Sequence, residues 1–370
     1  MTALSERPAA GTVRRAAPSR ALKAALSLML AALMACALLV AGGCSSPAEQ
    51  PAADGGGGAS GGGAEATEAD DGQSSADEAD EGTAAGTGEE TRLVETLRGQ
   101  VEIPADPQRI ADASGISDIL AILGHKPVAT SDSDAYDYTK FPSYLEDLLQ
   151  GAVIIGYPMA DTVDIEAVLS VEPDLIIINP RQEKAYDQLA AIATTIIIEP
   201  NVNDWRGDMR MVAALFDEEA ASTAEAWIGD YDACAEEVGQ AIRAANGEDA
   251  TYFAFLTGGT SYYLFTGAAY GDIFYNDLGL KVPANLPEQD SITLPTASLE
   301  GLTEITADHL VVLASDDDRA VLEASAAWNS IEAVAAGNVV WLAQSPYFNE
   351  AYSTYGRIQL LDELEALLVK

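Results

Sequence analysis

After about Thr91, short apolar runs alternate along the chain with segments whose apolar residues recur every three or four positions. The first pattern predicts buried strands and the second predicts amphipathic helices. The segment GISDILAILG has the helical spacing at Ile116, Leu120 and Leu123, and Gly124 predicts its end. The segment TLRGQVEIPADPQRIADAS predicts a strand, a turn and a strand, and further strands are predicted in KPVATS, GAVIIGYP, DLIIIN, TTIIIEP, ATYFAFL and NVVWLAQ. Such runs, with helices between them, predict an α/β fold whose mostly parallel sheets are covered by helices on both faces.

A long helical stretch interrupts this alternation in the middle of the chain. It runs from Trp205 to about Asn246, with one predicted break near Phe216 and Asp217. Its second part is unusually long and contains no Gly-Pro stop. The alternation then restarts, and the chain closes with the helical segment STYGRIQLLDELEALLVK. This order predicts one lobe, a single long helix and a second lobe.

Two segments that lie far apart in the sequence share a pattern. They are DIEAVLSVEPDLIII and SLEGLTEITADHLVVL. When Glu166 is aligned with Glu300, Asp174 falls on Asp308, because the members of each pair are eight residues apart in both segments. Any helix followed by a strand gives part of this match. Within a layout of lobe, helix and lobe, however, the match favours two similar lobes.

Residues 1–43 predict a secretory signal peptide. A basic region that ends at Lys23 precedes an apolar run from Ala24 to Val40, which is slightly short for a membrane span. The run is followed by AGGC, which resembles the bacterial lipoprotein signal, in which the cysteine, here Cys44, becomes the lipidated first residue. Ala41 departs from that pattern, which prefers leucine three positions before the cysteine. A plain signal peptide with an incidental cysteine is the alternative.

Residues 44–95 predict a flexible acidic tether that leads to a folded domain at residues 96–370. Gly, Ala, Ser, Thr and acidic residues dominate the tether, so it cannot bury enough apolar surface to offset the entropy of ordering. The predicted domain consists of an N-lobe at about 96–203, linking helices at about 204–247 and a C-lobe at about 248–370. The chain carries a net charge of −40, which excludes nucleic acid as a partner.

Several segments together resemble one family, the ABC-transporter solute-binding proteins that carry ferric siderophores, haem or cobalamin. The resemblance spans about Leu97 to Lys370 and includes RGQVEIPADPQRI, SGISDILAILG, DIEAVLSVEPDLIII, GDIFYNDLGLKVP and WNSIEAVAAGNVVWL. It implies two α/β lobes joined by one long helix, with the ligand in the cleft between them, at the carboxyl ends of the strands.

The same resemblance implies an ABC permease with its ATPase as the partner. In this family a surface glutamate on each lobe docks onto the permease, and the matching positions here are Glu166 and Glu300. Two solvated helix residues are the alternative for this pair. We expect a monomer that is held at the outer face of the cell membrane by the lipid on Cys44.

A ferric siderophore is the ligand that the sequence favours. His125 and His309 are the only histidines, and both are interpreted as structural, as is Cys234 in its helical segment. A carrier of free Zn²⁺ or Mn²⁺ needs imidazoles and carboxylates that converge on the ion, so direct metal binding is disfavoured, and we expect no bound cofactor. Haem or a corrinoid stays open as an alternative ligand. A cell-surface enzyme is a third alternative, which the sequence disfavours because it lacks Gly-x-Ser-x-Gly and metal-binding histidine motifs.

Ligand-binding residues are expected in the loops that follow the predicted strands. Arg181 is the first choice because it is a cation in a very acidic chain; a surface ion pair with Glu183 or another acid is the alternative. Arg206 has the alternative of a hinge ion pair, and each tyrosine has the alternative of packing, which is preferred for Tyr352 and Tyr355. The candidates are Arg181, Lys184, Tyr136, Tyr138, Tyr157, Trp205, Arg206, Tyr263, Tyr270, Tyr347 and Phe348.

Overall fold

The computed structural model of the protein describes residues 90–201, 203–289 and 293–369. The predicted signal peptide at residues 1–43, Cys44 and most of the predicted tether lie outside the described residues. None of the helices within the described ranges is both long and apolar enough to cross a membrane.

An antiparallel hairpin opens the described part of the chain. Its strands are β1 (Thr91–Thr96) and β2 (Gly99–Pro104), and Gly99 adopts the positive φ of 88° that the tight turn requires. The backbone N–H of Leu97 donates to the carbonyl oxygen of Ile197 at 3.0 Å, which ties the hairpin to the N-lobe. Strand β1 therefore starts inside the 44–95 range predicted for the tether. It does so because it has a pairing partner in β2, which composition does not reveal.

The N-lobe is built on a five-stranded parallel sheet. Its strands are β3 (Ile110–Asp112), β4 (Ala129–Thr130), β5 (Val153–Ile154), β6 (Leu175–Ile178) and β7 (Thr194–Ile197). Their order in the sheet is β5-β4-β3-β6-β7. The helices of this lobe are α1 (Ser117–Ile122), α2 (Ile165–Ser170) and α3 (Tyr186–Ala190), with a 3₁₀ turn (Pro180–Ala185) before α3. All four side chains of β6 are buried, as its apolar run predicts.

Two helices connect the lobes. They are α4 (Trp205–Ala213) and α5 (Glu218–Asn246), and the break predicted near Phe216 and Asp217 is confirmed. The Asp217 carboxylate accepts the backbone N–H of Ala220 at 3.0 Å, so it caps the start of α5. With 29 residues, α5 is about 44 Å long.

The C-lobe has a second five-stranded sheet, which is mixed rather than fully parallel. Its strands are β8 (Tyr252–Gly258), β9 (Ser261–Phe265), β10 (Thr296–Ala297), β11 (His309–Leu313) and β12 (Val339–Leu342). Their order is β10-β9-β8-β11-β12; β8, β11 and β12 are parallel, whereas β9 is antiparallel to both of its neighbours. The hairpin formed by β8 and β9 and the short β10 were not predicted from the sequence.

Short helices surround the C-lobe sheet, and one longer helix ends the described chain. They are α6 (Tyr270–Asp272), which continues as a π-helical turn (Ile273–Asp277), α7 (Leu299–Thr303), α8 (Asp316–Glu323), α9 (Ala326–Asn329), α10 (Glu332–Ala335), α11 (Tyr347–Tyr352) and α12 (Thr354–Leu368). At Gly239, α5 lies so close to the end of the π-helical turn that a Cβ atom would come within 2.2 Å of the carbonyl oxygen of Leu278.

The sequence repeat corresponds to the same structural unit in each lobe. Asp174 lies just before β6, and its carboxylate accepts the backbone N–H groups of Gln108 and Arg109 at 2.6 and 2.9 Å, at the start of β3. Asp308 lies just before β11, and its carboxylate accepts the N–H and the hydroxyl of Thr251 at 2.8 and 2.7 Å, at the start of β8. Each repeated aspartate therefore holds the central strand of its sheet to the neighbouring strand.

The closing helix α12 packs against α5 and α1 as well as following the C-lobe in sequence. The carboxylate of Asp118 in α1 accepts the hydroxyl of Ser353 at 2.6 Å and the N–H of Tyr355 at 3.0 Å. At the other end of α12, the side-chain amide of Asn246 donates to the carbonyl oxygen of Leu368 at 2.7 Å. The C-lobe range predicted as 248–370 therefore ends in a helix that reaches the N-lobe, because its buried apolar side chains pack there.

A buried ionic cluster lies where α4, α5, the π-helical turn and α12 meet. Arg357, with a side chain only 1% exposed, donates from Nη1 to the carboxylates of Asp272 at 2.6 Å and Asp277 at 3.1 Å. The hydroxyl of Tyr231 donates to Asp277 at 2.7 Å, and Nη2 of Arg206 donates to the same carboxylate at 2.9 Å. Burial raises the pKa of Asp277, so its charge depends on these cations.

We expect Arg357→Met to destabilise the protein by about 3–5 kcal/mol, because it leaves the buried carboxylate of Asp272 without its cation and leaves Asp277 with Arg206 alone. Adding Asp272→Asn and Asp277→Asn to this variant should recover much of the loss. Urea unfolding followed by far-UV circular dichroism measures these changes. The control is Arg210→Met, which removes an exposed ion pair with Glu225 and should leave the unfolding midpoint almost unchanged. Equal losses for Arg357→Met and Arg210→Met would contradict the importance of the cluster.

Candidate functional site

A cavity of about 580 Å³ lies at the carboxyl end of the N-lobe sheet. Residues that follow each of the five N-lobe strands line it: Ser114 and Gly115, Asp132 and Ser133, Tyr157 to Met159, Asn179 to Arg181, and Glu199 and Pro200. Residues from beyond the long helix close it from the other side: Leu294, Phe348, Asn349, and Tyr352 to Thr354. The cavity is therefore an interlobe cleft at the sheet edge where open α/β folds bind ligands.

Local structure fixes the loops that form the cavity. Gly115 has a positive φ of 93°, and a Cβ atom there would lie 2.7 Å from Cβ of Pro158, so glycine lets two of these loops touch. The side-chain oxygen of Asn179 accepts the N–H of Arg181 at 2.9 Å, while the Gln182 side chain accepts the N–H of Asn179 at 3.0 Å. This capping box holds the start of the 3₁₀ turn and presents Arg181 at the cavity.

Aromatic side chains form much of the cavity wall. The lining contains Tyr144, Tyr157, Trp205, Phe348 and Tyr352. Tyr138 stacks on Tyr157 with ring centroids 4.6 Å apart, and Tyr136 meets Phe348 edge to face at 6.0 Å, which is a contact between the lobes. Burial raises the pKa of Tyr157 to about 12, so its phenol is neutral at physiological pH and can donate a hydrogen bond.

Carboxyl groups outnumber cations in this cavity. Asp118, Asp132, Glu199 and Asp208 line it, and Arg181 is the single cationic residue among its described lining. Burial, together with the nearby Asp112 and Asp118, raises the pKa of Asp132 well above its usual value. Burial also raises the pKa of Asp118, and it raises that of Asp208 to about 6. Burial therefore makes these three carboxyl groups harder to ionise than exposed ones.

Four of the predicted ligand-binding residues line the cavity: Arg181, Tyr157, Trp205 and Phe348. Two more, Tyr136 and Tyr138, lie beside the cavity, because their rings contact the lining residues Phe348 and Tyr157. The alternative of an ion pair between Arg181 and Glu183 does not occur, because Glu183 pairs with Arg98 at 3.2 Å.

The structure does not bring the other five candidates to the cavity. Lys184 is exposed further along the 3₁₀ turn, and Tyr347 begins α11 without lining the cavity. Arg206 pairs with Asp232 and Asp277, as in the alternative of a hinge ion pair. Tyr263 lies in β9 and pairs with β10. Tyr270 is completely buried, and its hydroxyl donates to the carbonyl oxygen of Tyr347 at 3.3 Å, so it is a packing residue.

Several lining residues were not predicted from the sequence. Asp132 directly follows the KPVATS strand, so the rule used for Arg181 applies to it and could have found it. Asp118 and Asp208 lie in helical patterns, where an acidic residue usually faces solvent. Asn349 and Tyr352 belong to α11, which was not predicted, and Tyr352 had been assigned to packing.

The histidines, the cysteine and the two glutamates lie away from the cavity lining. His125 stacks on Phe216 at 3.7 Å between ring centroids, and His309 stacks on Tyr252 at 4.8 Å. Burial raises the pKa of the free thiol of Cys234 to about 11. Within the described part of the chain, no group of three or more His, Cys, Asp or Glu side chains is arranged to hold a metal ion.

Glu166 and Glu300 occupy equivalent positions. Each is exposed in the first turn of a short helix, α2 or α7, whose N-cap is Asp164 or Ser298. The side chain of each N-cap accepts a backbone N–H from the first turn. The geometry therefore presents one carboxylate on the surface of each lobe. A role in docking remains a prediction.

Comparisons with known proteins give consistent results. A family model described as periplasmic binding protein matches residues 110–346. The probable siderophore-binding lipoprotein YfiY of Bacillus subtilis is 29% identical over 302 residues, which cover 76% of this chain and 88% of that protein. The iron(3+)-hydroxamate-binding protein YxeB of the same organism is 28% identical over 276 residues, which cover 70% of this chain and 78% of that protein.

Solved structures share the fold. Staphylococcus aureus SirA, crystallised with staphyloferrin B, superposes with a TM-score of 0.62 at 22% identity, over 75% of this chain and 98% of that chain. Bacillus subtilis FeuA, a triscatecholate siderophore-binding protein crystallised with ferri-bacillibactin, has a TM-score of 0.58 at 23% identity, over 75% of this chain and 98% of that chain. The predicted α/β fold with two lobes is confirmed.

We expect Asp208→Asn to stabilise the protein at pH 7 and to have little effect at pH 4. The pKa of Asp208 rises from 3.8 to about 6 in the folded protein, so over this interval the unfolded chain loses the proton first. The free energy of unfolding of the wild type therefore falls between about pH 4 and pH 6, by at most about 3 kcal/mol for this group. Asparagine has no such proton, and its side-chain oxygen can still accept the N–H of Asn201.

Urea unfolding of the wild type and the variant at both pH values measures this difference. The control is Asp147→Asn, which makes the same substitution at an exposed position of the same lobe and should leave the stability nearly unchanged. A stability difference between Asp208→Asn and wild type that is the same at pH 4 and pH 7 would contradict the assignment.

Proposed function

Since the chain belongs to the periplasmic binding protein family, whose model matches residues 110–346, we propose that it captures a ferric siderophore outside the cytoplasm and delivers it to an ABC permease for iron uptake. The observation that carries this proposal is the interlobe cavity. It collects residues from the ends of all five N-lobe strands, and Leu294, Phe348, Asn349 and Tyr352 to Thr354 close it from the opposite side. The members of this family and the relatives named above are binding proteins, not enzymes.

The cavity suits a bulky ligand that brings its own iron ligands. Its volume of about 580 Å³ lies within the range of about 300–1,000 Å³ that is usual for small-molecule sites. Tyr157, Trp205 and Phe348 offer flat apolar faces to the organic backbone of a chelate. Arg181 offers charge-assisted hydrogen bonds to chelate oxygens. One relative is named for hydroxamate chelates and one solved structure for triscatecholate chelates. Similarity to these proteins therefore does not identify the type of chelate.

The proposal extends to the attachment of the protein to the membrane and to its docking on the permease. We propose that Cys44 carries a lipid anchor and that the acidic tether lets the folded domain, as a monomer, reach its permease. Glu166 and Glu300 would then contact basic residues of the permease, one from each lobe. Their exposure and their equivalent positions at the starts of α2 and α7 support this role.

We expect ferric siderophores to quench the tryptophan fluorescence of the protein, because Trp205 lines the cavity. Arg181→Gln should weaken the binding of a ferric siderophore by about tenfold or more, since it removes the cationic donor. Lys184→Gln is the matched control: it removes a nearby cation that does not line the cavity, and it should leave the affinity unchanged. Absence of binding to every ferric chelate tested, with tight binding of haem or a corrinoid, would refute the proposed ligand.

We also expect Glu166→Arg combined with Glu300→Arg to abolish uptake of a radiolabelled ferric siderophore by cells while the purified variant keeps its ligand affinity. Charge reversal at both positions replaces attraction to basic residues with repulsion. The matched control reverses Glu146 and Glu332, which are exposed glutamates of the two lobes, and it should transport normally. Normal uptake by the Glu166/Glu300 variant would eliminate the docking role.

A further inference from the structure

The charges around the cavity limit the kind of chelate that can enter it. The described lining contains four carboxyl groups and one guanidinium. The carboxyl groups belong to Asp118, Asp132, Glu199 and Asp208, and the guanidinium belongs to Arg181. A carboxyl group adds no positive charge in either protonation state. Glu199 is exposed, so its carboxylate alone offsets Arg181. The lining therefore offers no surplus of positive charge to an anion.

An anionic ligand would lose part of its hydration on entering this cleft and would meet carboxyl groups there. Burial of a charge is unfavourable unless opposite charges or hydrogen bonds replace the water. One arginine can offset a single negative charge, whereas a strongly anionic complex needs several cations. No second cationic side chain is available in the described lining, since Lys184 and Arg206 lie elsewhere.

Two further observations favour ligands of the opposite sign. The aromatic rings of Tyr157, Trp205 and Phe348 line the same cavity, and the faces of such rings attract cations. The chain as a whole carries a net charge of −40, so its field attracts cationic ligands and repels anionic ones at low ionic strength. The cavity lining and the net charge of the chain therefore both favour the binding of cationic ligands over anionic ones.

Ferric siderophores differ in net charge in a simple way. Three hydroxamate groups lose one proton each and form a neutral complex with Fe³⁺, which becomes a cation if the chelator carries a free ammonium group. Three catecholate groups lose two protons each and form a triply negative complex. We propose that this cavity selects ferric chelates of zero or positive net charge, such as trishydroxamates, over triscatecholates. The inference rests on the proposed function and narrows it to a chemical class.

A series of probes that share one iron centre tests this selectivity. The probes are a linear ferric trishydroxamate with a terminal ammonium group, its N-acetylated form and its N-succinylated form, which differ in net charge by one unit at each step. Fluorescence titration of the purified full-length protein should give dissociation constants that rise about threefold to tenfold at each step. A ferric triscatecholate should bind at least about a hundredfold more weakly than the ammonium form.

Charge reversal within the cavity tests the electrostatic cause. Glu199→Lys should reduce the preference for the ammonium form over the succinylated form by about tenfold or more. Glu332→Lys makes the same change at an exposed position outside the cavity lining, and it should keep the wild-type preference. An unchanged preference in Glu199→Lys would overturn the electrostatic explanation.

The two levels of the proposal can fail separately. Binding of the triscatecholate or the succinylated form as tightly as the ammonium form would overturn the charge selectivity and leave siderophore capture intact. Failure of every ferric chelate to bind would overturn both.

Discussion

The arrangement of the folded domain depends on the buried contact of Arg357 with Asp272 and Asp277. Four segments meet at this contact: α4 leaves the N-lobe, α5 joins the lobes, the π-helical turn belongs to the C-lobe, and α12 follows both sheets. Carboxylates at this depth are strongly unfavourable without their cation, so the segments that carry the charges must pack together. The cluster therefore holds together the helices that connect the two lobes.

Much of the fold follows from local pattern. Strand β6 is apolar and buried throughout and β7 is almost completely buried, so their apolar runs identified them, and the capping residue Asp217 marked the start of α5. The repeat identified equivalent units, and the structure adds that Asp174 and Asp308 perform the same task in each lobe. The hairpin of β8 and β9 was missed because pairing between strands is a tertiary property that a run such as SYYLF does not reveal.

The candidate site was predictable to a smaller extent. The rule that ligands meet the carboxyl ends of parallel strands led to Arg181 and Tyr157, since a loop after a strand is visible in the sequence. The same rule failed for Tyr270, because a tyrosine after β9 of an antiparallel hairpin lies in a different place from one after a parallel strand. Asp118 reaches the cavity where α1 packs against α12, and the side-chain oxygen of Asn349 accepts the backbone N–H of Ala135 from the N-lobe. No sequence pattern encodes these contacts. The family could be identified from the sequence because the resemblance rests on the order of many segments, none of which is specific by itself.

The hydrogen bonds from Ser353 and Tyr355 to Asp118 have a consequence for biogenesis. Every strand of both sheets precedes residue 348 in the chain, yet Phe348, Asn349 and Tyr352 to Thr354 form most of the cavity wall that faces the N-lobe sheet. Most of the wall that faces the N-lobe sheet is therefore translated after every strand. The cavity is complete only when α11 and α12 have been synthesised and α12 has packed against α1 and α5.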